Sequence, residues 1–439
     1  LDLVEDILGY TRFFFFFLTL LPIFASIEEK ELVVSLPTRH YLTSVYLSPL
    51  STHSSEFPLS YLESLQQVLK DDLNRNGSCF VETSLENADY TVQIELIEKE
   101  LLLSITSKRN GHKKTLPLKP LSGTLSSDRR SIHQFSDGIT EIITGVNGVA
   151  STRILYAVQF PEQTSEGIVW KSEIWESDYD GCNTRQVTQE KSYCITPVFF
   201  PAEGEFTKNK FLYVNYKLGQ PRIYLGSFDR TKGEPFVSLR GNQLLPAISK
   251  KCDMIAFISD ASGRADLFVQ PFSRHHGLMG KPIQAFSYPR SVQASPTFRP
   301  DGKKIAFVSD KDGTPRIYLI DTPSPGKNSR PHPLCITKKY SQNTCPNWSP
   351  DGTKLAYSAM IDGSRQIVVY DFLTQEEIPI TTGKSHKENP SWAPDSLHII
   401  YNTVDPSSSE LFLINLKQKE PLQITSGSGK KHYPAWEPN

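Results

Sequence analysis

Few residues of this chain stand in patterns that could do chemistry. Gly427-Ser-Gly429-Lys430-Lys431 has the glycine and lysine content of a phosphate-holding loop. Such a loop needs a further glycine five residues before Gly429, where its backbone N–H groups would cradle the phosphates; that position is Ile424, and a polar turn accounts for the segment. His275-His276 offers two imidazoles, yet no H-E-x-x-H helix accompanies them. Asp310-x-Asp312-Gly313 begins like a calcium loop but lacks the additional oxygen ligands that calcium requires, and reads as a β-turn. No G-x-S-x-G nucleophile elbow occurs. Catalysis, a metal and a cofactor are therefore not expected, which shifts attention to binding and to the scaffold that would support it.

That scaffold is legible as a repeat. Pro-x-aromatic-x-Pro, then Asp-Gly, then an apolar run recurs, clearest at Pro296–Ser309, Pro346–Ser358 and Pro390–Asp395, weaker from Pro197 and Pro246, with a last copy at Pro434–Pro438. The leading prolines are spaced by 49, 50, 50, 44 and 44 residues. Self-similarity at this period signals a β-propeller with one four-stranded blade per repeat. The Pro-x-aromatic segment is the inner strand A, and Pro-Asp-Gly is the A–B turn, with proline presetting φ and glycine taking the positive φ. Strand B occurs six times: Ile154–Val158, Phe211–Val214, Met254–Ile258, Ile305–Val308, Leu355–Ser358 and Ile399–Asn402. Strand A also occurs six times, displaced by one. The first strand B has no strand A before it and the last strand A has no strand B after it. Pairing Pro434–Pro438 with Ile154–Val158 satisfies both edges, which would otherwise invite aggregation. The expected fold is an α/β N-terminal domain followed by an all-β six-bladed propeller whose blade 1 is closed by the C-terminal strand.

Ahead of the propeller, the pattern changes. Phe13–Phe24 is an apolar run too short to span a bilayer. With Arg12 before it and Ala25-Ser26 after it, it reads as a signal peptide over residues 1–26; a buried strand or uncleaved anchor is the alternative. Residues 27–144 read as a small α/β domain. Strands are expected at Glu31–Leu36, Thr43–Leu50, Cys79–Glu82, Tyr90–Glu98 and Leu101–Thr106. A capping box at Ser60-Tyr-Leu-Glu63 opens a helix with Leu62, Leu65, Val68, Leu69 and Leu73 on one face, ending at Asn76-Gly77. A second helix carries Ile132, Phe135, Ile139, Ile142 and Ile143. Gly145 and Gly148 read as a hinge to the propeller over 145–439. The formal net charge of −1 gives no basic footprint for nucleic acid. Cys335 and Cys345 are close enough to staple one loop in an oxidising compartment, or to remain thiols with the other four cysteines.

Strand A lines the propeller tunnel. The two residues after each leading proline are Val198-Phe199, Ala247-Ile248, Thr297-Phe298, Asn347-Trp348, Ser391-Trp392 and Ala435-Trp436, with no His, Asp or Glu among them. A metal-dependent tunnel enzyme would need such ligands. The D–A loops, by contrast, are long and polar. Loops on a rigid scaffold are where recognition concentrates, and these carry the candidate binding residues Arg240, Asn242, Gln243, Arg290, Gln293, Tyr340, Asn343, His386, Glu388, Lys431 and His432.

Three stretches give the chain a family resemblance: Ile143-Thr-Gly145-Val-Asn-Gly148-Val-Ala-Ser-Thr-Arg153 through Gln159, Ser177-Asp178-Tyr-Asp180-Gly181, and Tyr433-Pro-Ala-Trp436-Glu-Pro438. They resemble the TolB family of the Tol–Pal system. The resemblance implies a non-enzymatic periplasmic monomer whose propeller binds a Pal-type lipoprotein and whose N-terminal segment, here Glu31, Leu32, Val33 and Val34, engages a TolA-type inner-membrane protein. It also implies a role in outer-membrane integrity and cell division, with no membrane insertion once the signal is removed. It departs from the family pattern at Pro246-Ala-Ile-Ser-Lys-Lys-Cys252-Asp253, which has lost Pro-Asp-Gly, and in the charged Glu28-Glu-Lys-Glu31. A propeller subunit regulating a separate peptidase, and a propeller binding a small molecule or glycan, are readings of other classes.

Overall fold

A computed structural model describes residues 42–52, 56–165, 167–323 and 332–438. The leader read over 1–26 and the segment Glu31–Val34 lie outside the described residues.

The first part is a mixed sheet with two helices packed on it. Its strands are β1 (Thr43–Leu47), β2 (Ser51–Thr52), β3 (Cys79–Glu82), β4 (Tyr90–Ile97), β5 (Glu100–Ser107) and β6 (Lys113–Pro120). They run in the order β3-β1-β4-β5-β6, with β2 beside β4; β1 is parallel to both neighbours and β4-β5-β6 is an antiparallel meander. Helices α1 (Leu59–Arg75) and α2 (Leu125–Thr144) send Leu65, Leu69, Ile132, Phe135 and Ile139 against Val45, Ile94 and Leu103 of the sheet. β6 is not anticipated by the sequence: its lysines and prolines lie on an exposed edge, where no alternation is required.

The capping box is a correction. α1 starts at Leu59, behind Pro58, and no side chain caps it. Proline presets the backbone at φ −57°, so Ser60 falls inside the helix, where its carbonyl accepts the Ser64 hydroxyl at 2.7 Å. The exit at Asn76-Gly77 is as expected, with Gly77 at φ +66°. Gly148 is also corrected: it is a close contact, not a hinge. A Cβ there would lie 2.7 Å from the Cα of Asp137 on α2, and Asp137 accepts the next-door N–H groups of Ala150 (2.7 Å) and Ser151 (2.9 Å).

The second part is six antiparallel sheets in a ring. In blade 1, β7 (Arg153–Thr164) and β8 (Gly167–Asp178) are the B and C strands, and Lys430–Trp436 is strand A. Lys430 pairs with Gln159 and Trp436 with Ile154, so the expected closure is present. The junction is reinforced: the Glu437 carboxylate accepts the Arg153 N–H at 2.8 Å and the guanidinium at 2.5 Å, and Trp436 Nε1 donates to Thr152 Oγ1 at 2.8 Å. Strand B of each blade buries a large ring at the equivalent position, Tyr156, Tyr213, Phe257, Phe307, Tyr357 and Tyr401, and that of blade 2 adds Phe211. All six cysteines are free, so no staple joins Cys335 to Cys345.

Candidate partner-binding face

At the D–A end of the tunnel every strand A carries the same irregularity. The residue before the leading proline takes a left-handed conformation: Thr196, Leu245, Ser295, Cys345, Asn389 and Tyr433 have φ between 45° and 55°. None is glycine, and positive φ crowds Cβ against the backbone. Each coincides with a register shift between strands A and B, as between Leu244 and Ala247 or His432 and Ala435. An extra residue in one strand of an antiparallel pair bends it and re-aims its side chains. Six such bulges ring the mouth of a tunnel cavity of about 730 Å³. Below them lie the six prolines and the aromatic ring of Phe199, Phe298, Trp348, Trp392 and Trp436; Gly145, Val146 and Asn147 border the opposite end. Residue types at the bulges vary too much for the sequence to reveal them; only their place before a proline is constant.

The D–A loops divide the candidate residues into two groups. Gln243, Gln293, Asn343 and Lys431 are buried, together with Cys194 and Lys387 at the equivalent positions three residues before the leading proline. Gln243, Gln293, Lys387 and Lys431 hold their loops down. Gln243 Nε2 donates to the carbonyls of Val237 (3.0 Å) and Leu239 (2.7 Å), Gln293 Nε2 donates to Ser291 Oγ at 2.9 Å, and Lys431 Nζ reaches Gly427 O (2.8 Å) and Glu410 (3.0 Å). Burial sets Gln243, Gln293, Asn343 and Lys431 apart from the remaining candidates, and for Gln243, Gln293 and Lys431 the polarity serves loop oxygen atoms that need donors. Both amide atoms of Asn343 lack a partner, for which the fold offers no account.

The second group is exposed or half-buried. Arg240 and Arg290 are exposed. Asn242 is half-buried, clasping Asp260 through its N–H and its side-chain amide at 2.7 Å each. His386 accepts the Arg365 N–H at 3.1 Å, while Glu388 forms an ion pair with the Arg365 guanidinium at 3.2 Å. Tyr340 leans on its blade's core with Lys339 Nζ 5.2 Å from its ring centroid. His432 Nδ1 lies 3.3 Å from Ser409 Oγ, and burial, then the charge of Lys430, pull its pKa down to about 4. Exposed lysines missed among the candidates, Lys338, Lys339 and Lys384, stand in the same loops.

The TolB beta propeller domain family matches residues 140–439. The chain is 44% identical over 401 residues to the protein TolB homolog of Protochlamydia amoebophila strain UWE25, covering 85% of each. It is 37% identical over 376 residues to that of Chlamydia trachomatis serovar L2, covering 84% of this chain and 83% of the other. The chain belongs to the TolB family. The crystal structure of TolB from Acinetobacter baumannii, at 21% identity, superimposes over 91% of this chain and 97% of that one with a TM-score of 0.72, which shows the shared fold.

The Ser-Asp-Tyr-Asp-Gly turn that marks this TolB-family chain has a physical role: it joins helices to propeller. Tyr179 Oη donates to Asp72 of α1 at 2.7 Å, Asp180 pairs with Arg129 of α2, and the Asp72 carboxylate also meets His133 Nδ1 at 2.7 Å. Burial alone would lower the His133 pKa, but the hydrogen bond and charge of Asp72, with Asp180 and Asp178 nearby, hold it above its ordinary value. Burial would raise Asp180, and Arg129 overrides it downward. Asp72, His133 and Asp180 each bring a ligand-type atom within 4.8 Å of the others. Arg129 and Tyr179 already occupy those carboxylates, so the group is an ionic joint. A second contact lies nearby: His398 of the propeller, held by Asp395 at 2.6 Å, reaches the Arg75 carbonyl at the end of α1 at 2.8 Å. Burial would lower its pKa too, but Asp395 and that carbonyl raise it.

Proposed function

We propose that this TolB-family chain is a non-catalytic periplasmic adaptor of a Tol–Pal-type envelope system. In this reading the D–A face of the propeller binds a Pal-type peptidoglycan-associated lipoprotein, and Glu31–Val34 engages a TolA-type inner-membrane protein. The chain acts as a monomer in support of outer-membrane integrity and constriction at division. It is exported by the leader 1–26, leaving an α/β domain over 27–144 and the propeller over 145–439. The observation that carries the reading is the D–A face itself: exposed Arg240 and Arg290 stand on loops pinned by buried polar anchors, around the tunnel mouth. Rigid support under exposed recognition groups suits protein binding, because little conformational freedom is lost on association.

The test is a calorimetric titration of residues 27–439 with the soluble domain of the cognate Pal-type lipoprotein. Saturable one-to-one binding is expected, weakened by Arg240→Glu with Arg290→Glu. Lys431 is left unchanged, because its buried ion pair with Glu410 makes it a fold residue. Absence of binding at high concentration would remove this face from the proposal.

A further inference from the structure

Blade 1 differs from the other five. Its B and C strands each have twelve residues, whereas the B strands elsewhere have six to eight. Strand A begins at Lys430, opposite Gln159, and β7–β8 then continue for five more pairs, Phe160↔Lys171 to Thr164↔Gly167. At about 3.3 Å per residue, this arm overhangs the D–A face by roughly 17 Å. It is braced by a Lys171–Glu162 ion pair and by Thr164 Oγ1 donating to Gly167 O at 2.8 Å. Lys430 ties its base to the mouth, with Nζ 5.4 Å from the Trp170 ring centroid and 2.9 Å from Pro406 O.

The arm exposes what a soluble surface ordinarily hides. Ile168 and Trp170, two apart and hence on one side of the ribbon with Pro161 opposite Trp170, are 64% and 44% exposed. A stiff ribbon with a large apolar side marks an interaction surface. On the face beneath it cations outnumber acids: Arg240, Arg290, Lys338, Lys339 and Lys384 are exposed and among the described residues none is in an ion pair, against exposed Asp362 and an Asp312 already paired with Lys311. Two acids of the same face are turned onto loop N–H groups: Asp260 takes Asn242 N and Asp310 takes Val292 N, both at 2.7 Å.

We infer that the partner seated on the D–A face is a folded domain with an acidic underside, and that the β7–β8 arm grips an apolar patch on its flank through Ile168 and Trp170. The inference rests on the D–A reading and adds to it a second contact and the partner's charge. The cations govern encounter and the arm governs escape, since long-range charge acts mainly on association and buried apolar anchors on dissociation.

The experiment measures association and dissociation rates of the full mature chain with the soluble domain of the cognate Pal-type lipoprotein, at low and high salt. An Ile168→Ser, Trp170→Ser variant is expected to dissociate at least about tenfold faster with association unchanged. An Arg240→Glu, Arg290→Glu variant is expected to associate more slowly and with less salt dependence. Thermal midpoints equal to the parent's show that both variants are folded. Parental dissociation from the arm variant, with slowed association of the loop variant, overturns the arm and leaves the face. No binding by the parent chain overturns both. A parent that sediments as a dimer and an arm variant that sediments as a monomer would assign the arm to a second copy, and overturn the inference as well.

Discussion

The joint between helices and propeller, and the mouth at the other end of the tunnel, solve opposite problems. At the joint, charges are buried and consumed: Asp72 meets His133 and Tyr179, and Asp180 meets Arg129. At the mouth, Arg240 and Arg290 are left exposed and without an ion pair among the described residues, and beneath the loops lie buried anchors such as Gln243 and Lys431. The joint thus uses its charges within the chain, whereas the mouth presents exposed cations to its surroundings. The same contrast extends to the backbone, since the mouth carries the six left-handed bulges while the joint relies on a close glycine contact.

The strongest way to break this contrast is to remove one charge from the joint. Asp72→Ala leaves His133 and Tyr179 buried without their partner, and a loss of about 3 kcal/mol is expected in denaturant unfolding. A double-mutant cycle with Tyr179→Phe should show coupling across the two parts. Acidity acts on the two regions with opposite sign. His133 and His398 have raised pKa values, so their contribution is complete below the unfolded value of about 6.5 and fades as pH rises through the folded values. His432, lowered to about 4, contributes above 6.5 and loses that contribution as pH falls toward 4. The pH dependence of melting should therefore flatten on the alkaline side in His133→Gln, and on the acid side in His432→Gln. A smaller effect is expected at the bulges: Ser295→Gly should raise stability by up to about 1 kcal/mol, because glycine takes φ +45° without strain. The smallest belongs to the free cations. Arg240→Glu and Arg290→Glu should change unfolding by no more than about 0.5 kcal/mol while altering partner binding; a large stability loss there would erase the distinction between the regions.

The ring was readable because its signal is periodic. Pro-x-aromatic-x-Pro reports turn geometry and an inward-facing ring at once, and six copies of strand B against six shifted copies of strand A leave one economical closure. The site was only partly readable. Polar loop residues attract attention equally whether they point out, as Arg240 does, or down, as Gln243 does, and sequence alone does not distinguish a donor needed by a buried carbonyl from one offered to solvent. The bulge ring leaves no compositional trace, since Leu245, Cys345 and Tyr433 are not residues that favour left-handed backbone. The joint was visible only as a family signature; its partners Arg129 and Asp72 lie 51 and 107 residues earlier in the chain, on the helices.

The pairing of Lys430–Trp436 with β7 also sets an order of events in time. β7 is among the first propeller strands to be made, and its inner edge has no neighbour until the chain has been extended by more than 250 residues. Throughout that interval five blades can assemble while blade 1 offers an unpaired edge on one side of a gap. Until Lys430–Trp436 is present the ring cannot close, so the mouth and the base from which the arm rises are completed together.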